Sequence, residues 1–242
     1  MSPKELTVGV LGGMGPEATI DFMAEVLQLT DADRDQEHIH LIVDQNPKVP
    51  NRQQAIRSGN DDVGPMLAEM AARLERAGAD FLVMPCNSAH VFDSAIREAT
   101  SLPFISIVDV CVESIPQAGP DGGRVGLMAT DGLAETGLYQ RALGKAGFEA
   151  VLPNAREQER LMTLIHRIKG GDKQDDVARG TEELARVLVE RGAATVLAAC
   201  TEIPLVLKAE HLTVPLVSST EALAKRTVAL ARRERPLPAT ES

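Results

Sequence analysis

Cys86, in MPCNSAH at 84–90, and Cys200, in ACTEIPL at 199–205, are the residues whose type and setting most directly suggest chemistry. An apolar run leads into each, and polar groups follow at once: Asn87 and Ser88 after the first, Thr201 and Glu202 after the second. A buried strand delivers reactive groups to the rim of a sheet in this way, and ligands of α/β proteins bind at that rim. A free cysteine, with a pKa of about 8.5, is a competent base only where a helix N-terminus or converging backbone amides favour its thiolate. Two such groups on opposite faces of one carbon permit a specific reaction. One thiolate removes a proton, the opposite thiol returns one to the other face, and the product is the mirror image. A buried cysteine taken singly is commonly a small hydrophobe, so it is the matched polar setting that makes this pair a candidate site. Cys111 has no counterpart and no such neighbours, and reads as a packing residue.

The elements that must position the pair alternate. Leu6 to Leu11 reads as a buried strand, GGMG as a turn, and Pro16 opens a helix with Ile20, Phe22, Met23, Val26 and Leu27 at helical spacing. His38 to Val43 is a second strand, followed by a polar loop from Asp44 to Asn51. Gly64 to Ala77 is a helix closed by Gly78, and Asp80 to Met84 and Pro103 to Val108 are the third and fourth strands. The pattern then restarts. RVGLMAT at 124–130 echoes TVGVLGG at 7–13, RGAATVLAACTE echoes AGADFLVMPCNS, and VPLVSST echoes LPFISIVD. Gly9 and Gly126, Cys86 and Cys200, and Pro103 and Pro215 are offset by 117, 114 and 112 residues. Three matches in one order, at nearly one offset, indicate two halves of one design. The expectation is an α/β protein with two similar parallel-sheet halves related by a pseudo-twofold, the cysteines approaching a common cleft from opposite sides. The halves are placed at 1–111 and 112–216. Segment 217–242 packs back on the first half through a helix from Glu221 to Arg232, and the tail from Glu234 reads as frayed.

Composition bounds the ligand. The 242 residues are 44% hydrophobic and 25% charged, which is ordinary for a folded globular chain. A formal charge of −10 argues against nucleic acid, because no basic excess exists to displace counterions from phosphates. The first apolar run is interrupted by glycines, too short for a signal-peptide core or a membrane span, so the reading is cytoplasmic. Three widely spaced cysteines suggest neither a disulfide framework nor a zinc site, and the expected partner is a small molecule.

LGGMGPEAT near the start, NPKVPNR at 46–52, MPCNSAH at 84–90, IKGG at 168–171 and ACTEIPL at 199–205 together resemble the aspartate/glutamate racemase family. The resemblance covers nearly the whole chain. It implies two Rossmann-like domains, no cofactor and no metal, a homodimer, and Cys86 and Cys200 as the two acid/base residues. It also implies that Arg52 and Lys169 bind substrate carboxylate; without it Lys169, just before Gly170 and Gly171, reads as a surface residue at a helix end. Asn87, Ser88, Thr130 and Thr201 could hold the α-carboxylate, and two cations with these groups would select an acidic amino acid. Each of the four could equally be a turn or cap residue. Glu202 could hold the substrate ammonium or orient Cys200, and His90 could influence Cys86 or be structural. The glycines of GGMG, Gly13 among them, read as letting the backbone approach the substrate and donate N–H groups to it, with Met14 beside it. Ser88 and Ala199 replace residues common in the family without threatening the chemistry, whereas Leu133 at ATDGLAETG bears on substrate range.

Three other functions compete. Gly13, Gly15 and Ala18 match a dinucleotide fingerprint, with Asp44 as the ribose acid, and would suit an NAD-binding oxidoreductase. That chemistry leaves the matched cysteines unexplained. A non-catalytic amino-acid-binding protein is the second, and a maleate isomerase, using a related cysteine pair covalently, is the third.

Overall fold

A computed structural model describes residues 5–116 and 123–238. The chain divides into two compact units, Met1–Val110 with Thr220–Ser242, and Cys111–Ser219. Part of the tail read as frayed, residues 239–242, lies outside the described residues.

In the first unit four strands, β1 (Val8–Gly12), β2 (Leu41–Gln45), β3 (Phe81–Val83) and β4 (Phe104–Ile105), form one parallel sheet in the order β2-β1-β3-β4. Helices α1 (Pro16–Leu29), α2 (Arg52–Ser58), α3 (Val63–Arg76) and α4 (Asp93–Ala99) connect them, and α5 (Ile107–Glu113) follows β4. The second unit repeats the plan. Strands β5 (Arg124–Ala129), β6 (Glu149–Val151), β7 (Thr195–Ala199) and β8 (Leu216–Ser218) are parallel in the order β6-β5-β7-β8. Its helices are α6 (Asp131–Thr136), α7 (Leu138–Lys145), α8 (Ala155–Lys169) and α9 (Asp175–Glu190). The last helix, α10 (Ser219–Ala231), returns to the first unit, where Leu6 N–H donates to the Ala231 carbonyl at 2.9 Å.

Both sheets change direction at the same place. The chain leaves the first strand of each half for one side and returns to the other, so a switch point falls between β1 and β3 and again between β5 and β7. Loops diverge there and leave room for a ligand beyond the strand ends.

The echo that starts each half has a packing cause. A Cβ on Gly9 would lie 2.9 Å from Ala79 Cβ and 3.2 Å from Leu74 Cβ; on Gly126 it would lie 3.3 Å from Ala193 Cβ and 2.9 Å from Leu188 Cβ. In each unit the missing side chain lets the helix before the third strand settle onto the sheet. The central strands are buried on both faces, as helices on both sides of a parallel sheet require.

Several local readings are corrected. The second strand begins at Leu41 and not His38, because His38 N–H closes a 3₁₀ turn onto Asp35. The loop after it ends in a helix: Asn51 accepts from the N–H groups of Gln53 and Gln54 and caps α2, so Arg52 starts a helix. The fourth strand is Phe104–Ile105 alone. Ser106 Oγ takes the Asp109 N–H at 3.2 Å and its carbonyl takes the Val110 N–H, which turns the chain into α5 where strand was expected to run to Val108. The helix that ends at Lys169 begins at Ala155, behind a reciprocal Asn154–Glu157 cap. On α1, Ile20 and Leu27 follow the helical period yet are 59% and 56% exposed. Among the described residues no helix is long and apolar enough to cross a membrane.

Candidate active site

In the first unit the groups converge just beyond β1 and β3. Met84-Pro85-Cys86 forms a three-residue turn closed by the Cys86 N–H on the Met84 carbonyl at 2.8 Å. Cys86 is a free thiol, 5% exposed, in an apolar cluster that also contains Met14, Leu11 and Met84. Asn87 and Ser88 are buried as the chain enters a 3₁₀ turn. Ser88 Oγ accepts from Gln53 Nε2 at 2.8 Å, which ties this turn to α2 and to the neighbour of Arg52. Arg52 itself is half-buried, and its Nη1 donates to the carbonyls of Val49 and Pro50 at 3.0 and 2.7 Å.

His90 holds the Cys86 turn from behind. Its Nε2 accepts the Ile107 N–H at 3.1 Å, so Nδ1 carries the ring proton and donates to the Cys86 carbonyl at 2.8 Å. One imidazole thereby joins the thiol loop to the first turn of α5. Burial pushes its pKa down to about 4, so the ring is neutral at ordinary pH.

The second unit gathers its groups more tightly. Ala129 and Ala199 are partners in the β5–β7 ladder, so Thr130 and Cys200 leave the sheet as neighbours. Both are buried, as is Thr201. Cys200 Sγ donates to Glu202 Oε2 at 3.0 Å, and the Thr201 hydroxyl makes a long 3.5 Å contact with the same oxygen. Lys169, the last residue of α8, brings its Nζ to 3.4 Å from the other oxygen, Oε1. Glu202 has only 6% of its side chain exposed, against 38% for Lys169. Burial above all, then the Glu202 charge, pushes the Cys200 thiol well above its ordinary range, while Lys169 pulls the other way. Lys169, Glu202, Thr201 and Cys200 thus form one connected group.

Two expectations at the glycine turn need correction. The Gly13 N–H was expected to face a ligand, but it donates to Thr19 Oγ1 at 2.8 Å. Gly13, at φ +92°, lies flat against Asn46, whose backbone a Cβ would approach to 2.5 Å. The glycine is needed there for chain crossing. Asp44, the ribose acid of the dinucleotide reading, is engaged by Arg73 through Nε at 3.0 Å and Nη2 at 2.8 Å. Cys111 is fully buried, and burial raises its thiol to about 12, as suits a packing residue.

Sequence reasoning missed Gln53, which pins Ser88, and Gln158, whose Nε2 donates to the Ala129 carbonyl at 3.0 Å beside Thr130. The cap Asn51 before QQAIR was the available signal for the first, and the Asn154–Glu157 spacing for the second. Among the described residues no group of three or more His, Cys, Asp or Glu could hold a metal ion.

Each of the two parallel α/β units carries a buried thiol, flanked by polar groups, just past the end of its third strand. A family model described as Asp/Glu/hydantoin racemase matches residues 11–227. The chain is 27% identical to the broad specificity amino-acid racemase RacX of Bacillus subtilis (strain 168), over 91% of this chain and 96% of that protein. It superposes on the Picrophilus torridus aspartate racemase with a TM-score of 0.80 at 26% identity, covering 96% of both chains. The glutamate racemase isoform RacE1 of Bacillus anthracis shares the fold, with a TM-score of 0.65 at 20% identity over 98% of this chain and 85% of that one. The chain belongs to the Asp/Glu/hydantoin racemase family.

Proposed function

We propose that this protein racemises aspartate or a related acidic amino acid without a cofactor, by moving the α-proton between Cys86 and Cys200. The observation that carries this reading is the equivalence of the two thiols: each is buried, free and placed where the third strand of its sheet ends beside the switch point. One cysteine enters as thiolate and takes the α-proton; the other, as thiol, returns a proton to the opposite face. Their roles exchange with substrate handedness. General acid–base catalysis of this kind contributes about 10²–10⁴-fold, and N–H donors aimed at the carboxylate of the planar carbanion supply much of the remainder. Arg52 and Lys169 are the cations for substrate carboxylate, and Asn87, Ser88, Thr130 and Thr201 supply neutral hydrogen bonds.

Similarity to an aspartate racemase supports an acidic substrate, and similarity to a broad specificity racemase supports a wider range around it. The dinucleotide alternative loses its ribose acid to Arg73. A homodimer remains part of the proposal, with the exposed Ile20 and Leu27 of α1 as the face offered to a second copy.

The test is incubation of the pure protein with each enantiomer of aspartate and glutamate in heavy water, following α-deuteration by NMR and inversion by chiral chromatography. Exchange with inversion is expected for at least one pair. No exchange with any amino acid tried would end the racemase reading, and binding without exchange would favour a non-catalytic binding protein. A covalent adduct with maleate, seen by mass spectrometry, would redirect it to maleate isomerisation.

A further inference from the structure

Unlike Cys86, whose neighbour His90 binds the carbonyl oxygen, Cys200 has a carboxylate on its sulfur. Glu202 is almost fully buried and stands 3.0 Å from Sγ. Sγ is the donor in this contact and the carboxylate oxygen the acceptor, so the bond holds the thiol proton on sulfur. The same carboxylate spends its second oxygen on Lys169, so one side chain couples the thiol to a cation on a different element.

We propose that Glu202 is a positioning residue that holds the proton on Cys200 in the free enzyme, with Lys169 limiting the strength of that hold. Cys200 of the free enzyme is then set as the acid of the pair. This rests on the two-cysteine reading above. A negative charge beside a buried sulfur opposes its ionisation, and the ammonium beyond it partly offsets that charge. The proton moves from Sγ to the substrate carbanion, leaving a thiolate next to Glu202. That thiolate is a strong base for the reverse turnover, because the charge that kept the proton on sulfur also favours its recapture.

Alkylation of the full-length protein with iodoacetamide, without amino acid, tests this directly. Cys86 and Cys200 are followed separately by peptide mass spectrometry across about pH 6–10, a range that brackets ordinary thiol ionisation. Glu202→Gln is expected to speed Cys200 alkylation at least roughly tenfold at about pH 8, the equivalent of one pKa unit. Lys169→Met should slow it several-fold, Glu202→Asp should stay near wild type, and Cys86 should be unaffected in all three. Simple loss of packing would expose the thiol in both charge-removing variants. An unchanged Cys200 profile in Glu202→Gln, or shifts of the same sign in Glu202→Gln and Lys169→Met, overturns the proposal. Should Glu202→Gln fail to fold, the infrared S–H band of Cys86→Ser/Cys111→Ser protein reads the same property. An S–H stretch displaced to lower frequency than that of a thiol without a hydrogen bond shows the proton held between Cys200 and Glu202 and supports the proposal, and an undisplaced band overturns it. Failure of the racemase reading is separate, since it shows as absent α-proton exchange whatever the thiol profile.

Discussion

His90 Nδ1 donates to the carbonyl oxygen of Cys86 across 2.8 Å while its Nε2 accepts the Ile107 N–H, so the loop carrying one thiol is braced by a neutral imidazole. Burial is the main cause of its lowered pKa, with Arg97 acting in the same direction and the Cys86 carbonyl, Asp93 and Asp109 opposing.

This brace makes stability acid-sensitive. The folded pKa of about 4 lies below the ordinary imidazole value of 6.5, so the His90 contribution is fully present above about pH 6.5 and is lost as pH falls toward 4. The loss should be on the order of 2–3 kcal/mol. Urea melts from pH 7.5 to 4.5 check it: His90→Gln should have lower stability at pH 7.5 and a flatter decline. A wild-type slope that His90→Gln leaves untouched would assign the acid sensitivity elsewhere.

Each thiol should be indispensable. Cys86→Ser and Cys200→Ser are expected to lower kcat by about 10³-fold or more, with circular dichroism and melting temperature close to wild type. Racemisation persisting in either variant would rule out the two-base assignment.

Arg52 has one nitrogen committed to the Val49 and Pro50 carbonyls, which fixes its stem while the guanidinium keeps further donors. Arg52→Gln should raise KM for an acidic amino acid roughly 10–100-fold, the range for losing a hydrogen bond to a charged group. An unchanged KM would mean that the side chain only clamps its loop.

Gln53 should matter through Ser88. Gln53→Ala removes the 2.8 Å hydrogen bond that pins the Cys86 turn to α2, and kcat should fall on the order of tenfold with little change in melting temperature. Gln53→Leu, which keeps bulk but can neither donate to nor accept from the Ser88 hydroxyl, should not rescue it.

Gly126→Ala would bring a Cβ to 2.9 Å from Leu188 Cβ, a contact with little freedom to relax. Destabilisation of about 1–3 kcal/mol is expected, read as a fall in melting temperature of roughly 2–4 °C per kcal/mol. Gly9→Ala should behave alike, since Ala79 and Leu74 occupy the matching places.

The sequence by itself determined that one strand plan occurs twice and that a cysteine follows the third strand each time. Strand burial, the glycines beneath the packing helices and the cysteines at strand ends are local signals repeated at nearly one offset, and a repeat exposes them without any knowledge of contacts. What it could not reach were bonds between residues far apart in the chain. Gln53 meets Ser88, and Lys169 meets Glu202, only because helices return to the carboxyl edges of their sheets. It misjudged Gly13 for the same reason: its N–H and its bare Cα are claimed by Thr19 and Asn46, partners that only the crossing of two loops supplies. Composition and periodicity place a thiol at a rim, but the groups that hold or release its proton are chosen by hydrogen bonds of about 3 Å, and tertiary packing alone sets those.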